Sequence, residues 1–158
     1  MIFKNLAPNT KVWAYVSNIS LLNRDNKDIS LKFNHFFSNW KSHGEKINGQ
    51  FKIVDEYILS IAADVNGNNL CGRAADAQVR FVENLSNEFS LNLLNRNNMV
   101  YIDYNDVKSF DFRDLKDLIE SGKISNDTLC FNTFIRENKD QLYLPFGQSP
   151  FASLSFSK

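Results

Sequence analysis

The 158-residue chain has 3 prolines, 6 glycines, 2 cysteines and 2 histidines, and 18 Lys+Arg balance 18 Asp+Glu. Each scarcity excludes something. Little Pro and Gly leaves little room for long irregular loops. Two cysteines, Cys71 and Cys130, cannot make a disulfide framework, so a reducing, cytoplasmic compartment is the expectation. Zero net charge argues against a nucleic-acid or anionic-membrane binder, which would carry a basic excess. No apolar run reaches the roughly 18 residues of a membrane span. The opening MIFKNLAPNTKVW has no charged start followed by a long apolar stretch, so no signal peptide is expected. The N-x-S/T triplets at Asn18, Asn84 and Asn126 are then accidental. No G-x-x-x-x-G-K-[ST] and no G-x-S-x-G occurs, so neither a Walker phosphate loop nor a hydrolase nucleophile elbow is expected. His35 and His43 belong to no H-x-x-x-H or C-x-x-C pattern, and neither a metal nor a cofactor is expected.

What is present describes a folded domain. Hydrophobic residues at 43% and charged residues at 23% suit a packed core rather than a disordered chain. The length suits one domain, residues 1–158, which needs no disulfide or structural metal. Abundant Phe (14) and Asn (21) suggest codon bias toward A and T. The neutral total is uneven: residues 1–50 carry seven bases and three acids, residues 51–100 four and six, residues 101–158 seven and nine. The basic excess surrounds the first predicted helix (Lys27, Lys32, Lys41, Lys46) and reads as a solvated face.

Residues 12–16 (VWAYV) alternate and predict a strand. Asn26 or Asp28 can cap a following helix, whose apolar stripe is Ile29, Phe33, Phe36, Phe37 and Trp40. Gly44 is placed to end it, with His43 in its last turn. Residues 51–57 and 58–64 predict two strands with a tight reversal, and the turn-rich VNGNNLCG leads into a second helix over about 74–89. Its inward residues are taken as Ala75, Val79, Val82, Leu85 and Phe89. A fourth strand follows over 99–104, then a helix over about 112–120 capped by Asp111 and stopped at Gly122, and a last strand over 128–134. The order β-α-β-β-α-β predicts an α+β, ferredoxin-like sandwich over about 11–106, with a helical and extended C-terminal appendage over about 107–158.

The segment from Asp64 to Asp76 leaves a strand and enters a helix N-terminus, where free N–H groups favour anions and thiolates. Cys71 is the candidate nucleophile there, with Arg73 beside it. Asp64 and Asp76 are candidates to hold a base, an amine or a metal, against the plainer reading of helix capping and a local ion pair. DVNGNN departs from a calcium loop, with Gly67 too early and Ala75 in the place of the bidentate Glu. On the first strand, Trp13 and Tyr15 point away from Val12, Ala14 and Val16. With Tyr101 they predict an open sheet face, to be covered by the aromatic tail or a second subunit, or to stack bases.

VWAYVSN, NHFFSNWKSHGEKINGQFKI and ILSIAADV, followed by a Cys/Gly turn and AADAQVRFVENLSNEFSLNLLNRNNMVYID, resemble a family of small bacterial proteins of similar length. That family is often labelled "ABC transporter ATPase". The resemblance covers about residues 11–135. It matches the family's W-x-Y start with Trp13 and Tyr15, its W-x-x-H-G element with Trp40, His43 and Gly44, and its acidic strand end with Asp64. It also matches the helix entry with the run Cys71 to Asp76, and the later arginine with Arg96. The family's S-G-C-S-I-D stands here as C-G-R-A-A-D, so Arg73 takes the place of its cysteine. Without a Walker loop, no ATP hydrolysis is expected.

Together these observations predict a non-enzymatic domain that binds a small ligand or a protein, at a site formed by Trp40, His43, Asp64, Arg73, Asp76 and Arg96. Two rival readings remain. One is an enzyme using Cys71 with Asp64, Arg73 and Asp76 on an anionic substrate. The other is a homo-oligomer, such as a homodimer, joined through the Trp13/Tyr15 face.

Overall fold

A computed structural model describes residues 1–22 and 26–153. It is an α+β fold with three helices and antiparallel sheets. The first sheet contains β1 (Lys11–Val16), β4 (Asn48–Val54) and β5 (Ile58–Asp64), in the order β1-β5-β4. A two-stranded hairpin, β2 (Lys41–Ser42) and β3 (Glu45–Lys46), stands apart from it. The second sheet contains β6 (Asn98–Asp103), β7 (Asp106–Asp111), β8 (Leu129–Phe131) and β9 (Tyr143–Pro145), in the order β7-β6-β8-β9. The helices are α1 (Asn26–Asn39), α2 (Gly72–Phe89) and α3 (Leu115–Glu120).

Alternation along the strands builds four layers. The odd residues of the first sheet (Trp13, Tyr15, Phe51, Ile53, Leu59, Ile61, Ala63) pack under α1 and α2. The predicted stripe of α1 forms there, with Phe33 stacked on Phe51 at 4.1 Å between ring centroids and Phe36 on Phe81 at 4.5 Å. The even residues face the other way. Val16, Ile58 and Val54 meet Val100, Val107, Phe131 and Tyr143 of the second sheet. Val12 and Ala62 are covered by Ile2, Phe3 and Leu6 of the N-terminal segment. The far face of the second sheet packs Tyr101, Phe110 and Cys130 against α3, Ile124 and Phe146.

Several expectations change. Trp13 and Tyr15 lie on the helix-covered face, not an open one, because alternation gives two faces without saying which receives the helices. Tyr101 faces α3 on the other sheet. The fourth strand of the β-α-β-β-α-β order, β6, pairs with β7 and β8 rather than extending the first sheet beside β1. The contact between β1 and β6 is instead a side-chain one: Asn98 Nδ2 donates to Val16 C=O at 3.0 Å. The region after residue 106 is therefore structural, supplying three of four strands to the second sheet; residues 154–158 lie outside the described residues. Strand β7 forms in a stretch to which the sequence assigns no element, since DVKSFD is half polar. In α2 the buried residues are Ala74, Gln78, Val82, Leu85 and Ser86, and Val79 is exposed. A glutamine lies inside because Tyr15 Oη donates to Gln78 Oε1 at 2.7 Å. Helix α1 stops at Asn39, and Gly44 (φ +79°) with His43 (φ 53°) makes the tight turn of the β2–β3 hairpin.

The N-terminal segment is fastened by Asn138, which is fully buried. Its Oδ1 accepts from Phe3 N–H at 2.6 Å, and its Nδ2 donates to the carbonyls of Phe3 and Leu6 at 2.8 and 3.0 Å. Around it, Val12 N–H donates to Arg136 C=O and Asn138 N–H to Thr10 C=O. Truncating this amide strands several interior backbone groups. Asn138→Ala is expected to cost about 3 kcal/mol, read as a lower urea midpoint at unchanged m-value; a loss within error of zero contradicts the fastening role. Gly49 lies so close under the Phe37 ring that a Cβ would overlap it. Gly49→Ala is therefore expected to destabilise by about 1–3 kcal/mol, and Gly49→Ala with Phe37→Leu to recover part of that loss.

Candidate functional site

Helix α2 starts after Cys71, whose backbone is extended (φ −78°, ψ 156°) in the N-cap position. Ala74 and Ala75 N–H bond to the Cys71 carbonyl, and the Cys71 side chain makes no capping hydrogen bond. The β2–β3 hairpin packs against this terminus. Ser42 is buried, and its Oγ accepts from Cys71 N–H at 2.9 Å. Through Ser42 the hairpin turn bearing His43 meets the helix entry bearing Cys71.

This surrounding acts on the thiol. The Ser42 hydroxyl first, then the amides of Ala74, His43 and Arg73, lower the Cys71 pKa to about 7 against a small opposing effect of desolvation. Cys130 shows the contrast. Burial among Tyr101, Leu115 and Phe146 pushes its thiol up to about 12. Both cysteines are free, and Cys71 is partly exposed while Cys130 is buried.

Beside this point lies a polar cleft of about 360 Å³ between the hairpin and the β5–α2 loop. Ser42, His43, Glu45 and Lys46 line it from the hairpin, and Val65, Asn66, Asn68 and Asn69 from the loop. Asn68 Nδ2 donates to Glu45 Oε2 at 3.3 Å across its mouth. Asn66, with φ 53°, lets the loop reverse, and its N–H bonds to Asp64 Oδ1 at 3.0 Å.

The six predicted binding residues do not line one cleft. His43 lines the polar cleft. Trp40 and Arg73 line a separate shallow depression beside α1, where Trp40 is itself buried in the core and its Nε1 donates to Ala74 C=O at 2.9 Å. Trp40 thus anchors the start of α2 and has spent its polar handle there. Asp64 serves the loop turn, and Asp76 is exposed on the first turns of α2. Arg96 lies in another groove, with Tyr15, Val79 and Phe134. Sequence reasoning missed Ser42 and Lys46, because a two-residue strand leaves no periodic signal. The W-x-x-H-G element was their marker, since a turn at His43–Gly44 implies strands on both sides of it. Among the described residues no group of three or more His, Cys, Asp and Glu is placed to hold a metal ion, and no helix is long and apolar enough to cross a membrane.

The lowered pKa sets a pH profile. Below about 7 Cys71 is a thiol and reacts slowly; above it the thiolate dominates. Alkylation of Cys71 by iodoacetamide should rise with a midpoint near pH 7, and Ser42→Ala, removing the largest lowering cause, should move that midpoint to higher pH. A midpoint at the ordinary thiol value of about 8.5 in the unaltered chain contradicts this.

No family model, no curated protein and no solved structure matches the chain.

Proposed function

We propose that this protein is a non-enzymatic binding domain, and that the cleft between the β2–β3 hairpin and the β5–α2 loop takes a small polar ligand. One observation carries the reading: two segments far apart in sequence converge on one cleft and supply a hydroxyl, an imidazole, a carboxylate, an ammonium and three amides. Such a lining offers several donors and acceptors with Val65 as its one apolar side chain, which suits a small hydrogen-bonding molecule. A cytoplasmic setting is part of the proposal, on the two free cysteines. So is kinship with the small bacterial family, supported by the order Trp13–Tyr15, Trp40–His43–Gly44, Asp64 and Gly72–Asp76. A ferredoxin-like arrangement of residues 11–106 is likewise proposed, supported by the strand order β1-β5-β4 with α1 and α2 on one face.

A second reading is favoured by Cys71 alone. A thiolate accessible near neutral pH, at a helix start beside Arg73, fits attack on an anionic electrophile. The homo-oligomer reading loses the face on which it was based, because Trp13 and Tyr15 pack under the helices.

A thermal-shift screen of small polar metabolites separates these readings. The binding reading expects a hit that raises the melting temperature, is recovered chemically unchanged, loses about tenfold in affinity in Asn68→Ala or Lys46→Ala, and binds Cys71→Ser normally. Turnover of the hit that disappears in Cys71→Ser establishes the enzyme reading instead.

A further inference from the structure

We propose that the free edge of β1 and the groove beside it bind an extended, acidic segment of a partner protein, which adds a strand to the first sheet. This site is separate from the polar cleft and does not depend on it.

The argument starts from backbone hydrogen bonds. Ser17 N–H bonds to Tyr57 C=O, in register with the β1–β5 pairs, so the odd residues of β1 turn their N–H and C=O toward β5. The even residues turn theirs outward. At one end Val12 N–H is taken by Arg136 C=O at 3.0 Å. At the other, Val16 C=O is taken by Asn98 Nδ2 at 3.0 Å. Between them the Val12 carbonyl, both groups of Ala14 and the Val16 N–H have no partner among the described residues. This gap follows from the division of the sheets, since β6 pairs elsewhere.

The gap opens on a groove of about 870 Å³ with Ala14, Tyr15 and Val16 along one wall. Val79, Leu94 and Phe134 also line it and are 39%, 40% and 60% exposed, an unusual amount of large apolar side chain at one place. A smaller apolar recess adjoins it, sharing Met99, Phe131 and Phe134, and holds Ser149, whose Oγ is buried with no partner among the described residues. Unpaired donors and acceptors spaced along a strand match an extended chain, whose own groups repeat every second residue. Alternate side chains of that chain would lie on the apolar wall, as in strand addition generally. Charge selects the sign of the partner. Arg96 is the one ionisable cation or acid of the groove besides the Tyr15 phenol, is exposed, and forms no ion pair among the described residues. Tyr15 is committed to Gln78, and burial raises its pKa to about 12, so it stays neutral. The one formal charge lining the groove is therefore positive, which favours a carboxylate on the incoming strand.

The test uses fluorescein-labelled nonapeptides that alternate Val with Ser and carry either two Asp or two Lys, read by fluorescence anisotropy against the full chain. The acidic peptide is expected to bind in the micromolar range and the basic one about tenfold more weakly. Ala14→Pro removes an N–H that the fold does not use and should weaken the acidic peptide about tenfold or more. Arg96→Glu should reverse the charge preference, and amide exchange at Ala14 and Val16 should slow in the complex. If Ala14→Pro fails to fold by circular dichroism, the Arg96→Glu reversal and the exchange data decide. The proposal is overturned if neither peptide binds, or if binding ignores both substitutions. It is also overturned if light scattering finds a dimer that Ala14→Pro dissolves, which makes a second copy the occupant. Binding that appears only after deletion of residues 154–158 overturns it as well, by making the chain's own end the occupant.

Discussion

The central constraint is β5, a strand buried on both faces. Every residue from Ile58 to Ala63 is inaccessible, and β5 bonds to β1 on one side and β4 on the other. A three-stranded sheet cannot hide both faces by itself, so two coverings follow. The helices take the side of Leu59, Ile61 and Ala63. The second sheet and the N-terminal segment take the side of Ile58 and Ala62. The burial has a polar cost: Ser60 Oγ and Gln78 Nε2 are enclosed without partners among the described residues. Lys52 Nζ of β4 donates to Ile2 C=O of the N-terminal segment at 2.6 Å, and Tyr143 Oη of β9 donates to Asp55 Oδ2 at 2.6 Å, so polar pairs at the margins fix how the layers meet. Burial, and after it the Asp55 carboxylate, raises the Tyr143 pKa and keeps the phenol a donor.

The same arrangement places both sites at the margins of the first sheet. At one, the loop leaving β5 must turn before α2, and the hairpin after α1 fills the space above it. The Trp40 indole fixes the hairpin's approach by bonding to the first turn of α2. Ser42 then meets the helix entry from the side, which lowers the thiol of Cys71. At the other margin, β6 does not pair with β1, and the Asn98 side chain reaches the Val16 carbonyl instead. Polar side chains line most of the first margin, and apolar ones most of the second.

Legibility in the sequence followed the strength of the local pattern. The α1 stripe from Ile29 to Trp40 and the hairpin turn at Asp55–Tyr57 were readable, because periodic apolar residues and turn chemistry act over a few residues. Asp111 was readable as a cap, and it accepts from Arg113 N–H at 2.9 Å at the entry to the turn before α3. Which face of β1 meets the helices was not readable, since Trp13 and Val12 both carry apolar side chains and only the partners decide. The division into two sheets depends on β7 and β9, whose sequences DVKSFD and YLP are short or half polar. For the site, the helix-entry cysteine was visible from its position before the α2 stripe. The serine beneath it was not, because the contact spans 29 residues and two elements.

Asn138 joins parts of the chain that lie 135 positions apart, since its side chain bonds to Phe3. During synthesis, the outward groups of Thr10 and Val12 therefore wait for Arg136 and Asn138 to be made before they are paired. At about 5–20 residues per second, this leaves the first strand's rim open for many seconds in every newborn chain. Contacts of this span also slow folding once the chain is complete, because a long loop must close before the amide gains its bonds. A single asparagine thus couples the last fifth of the polypeptide to the moment when the Thr10–Val12 end of its first strand is closed to a neighbour on the same messenger.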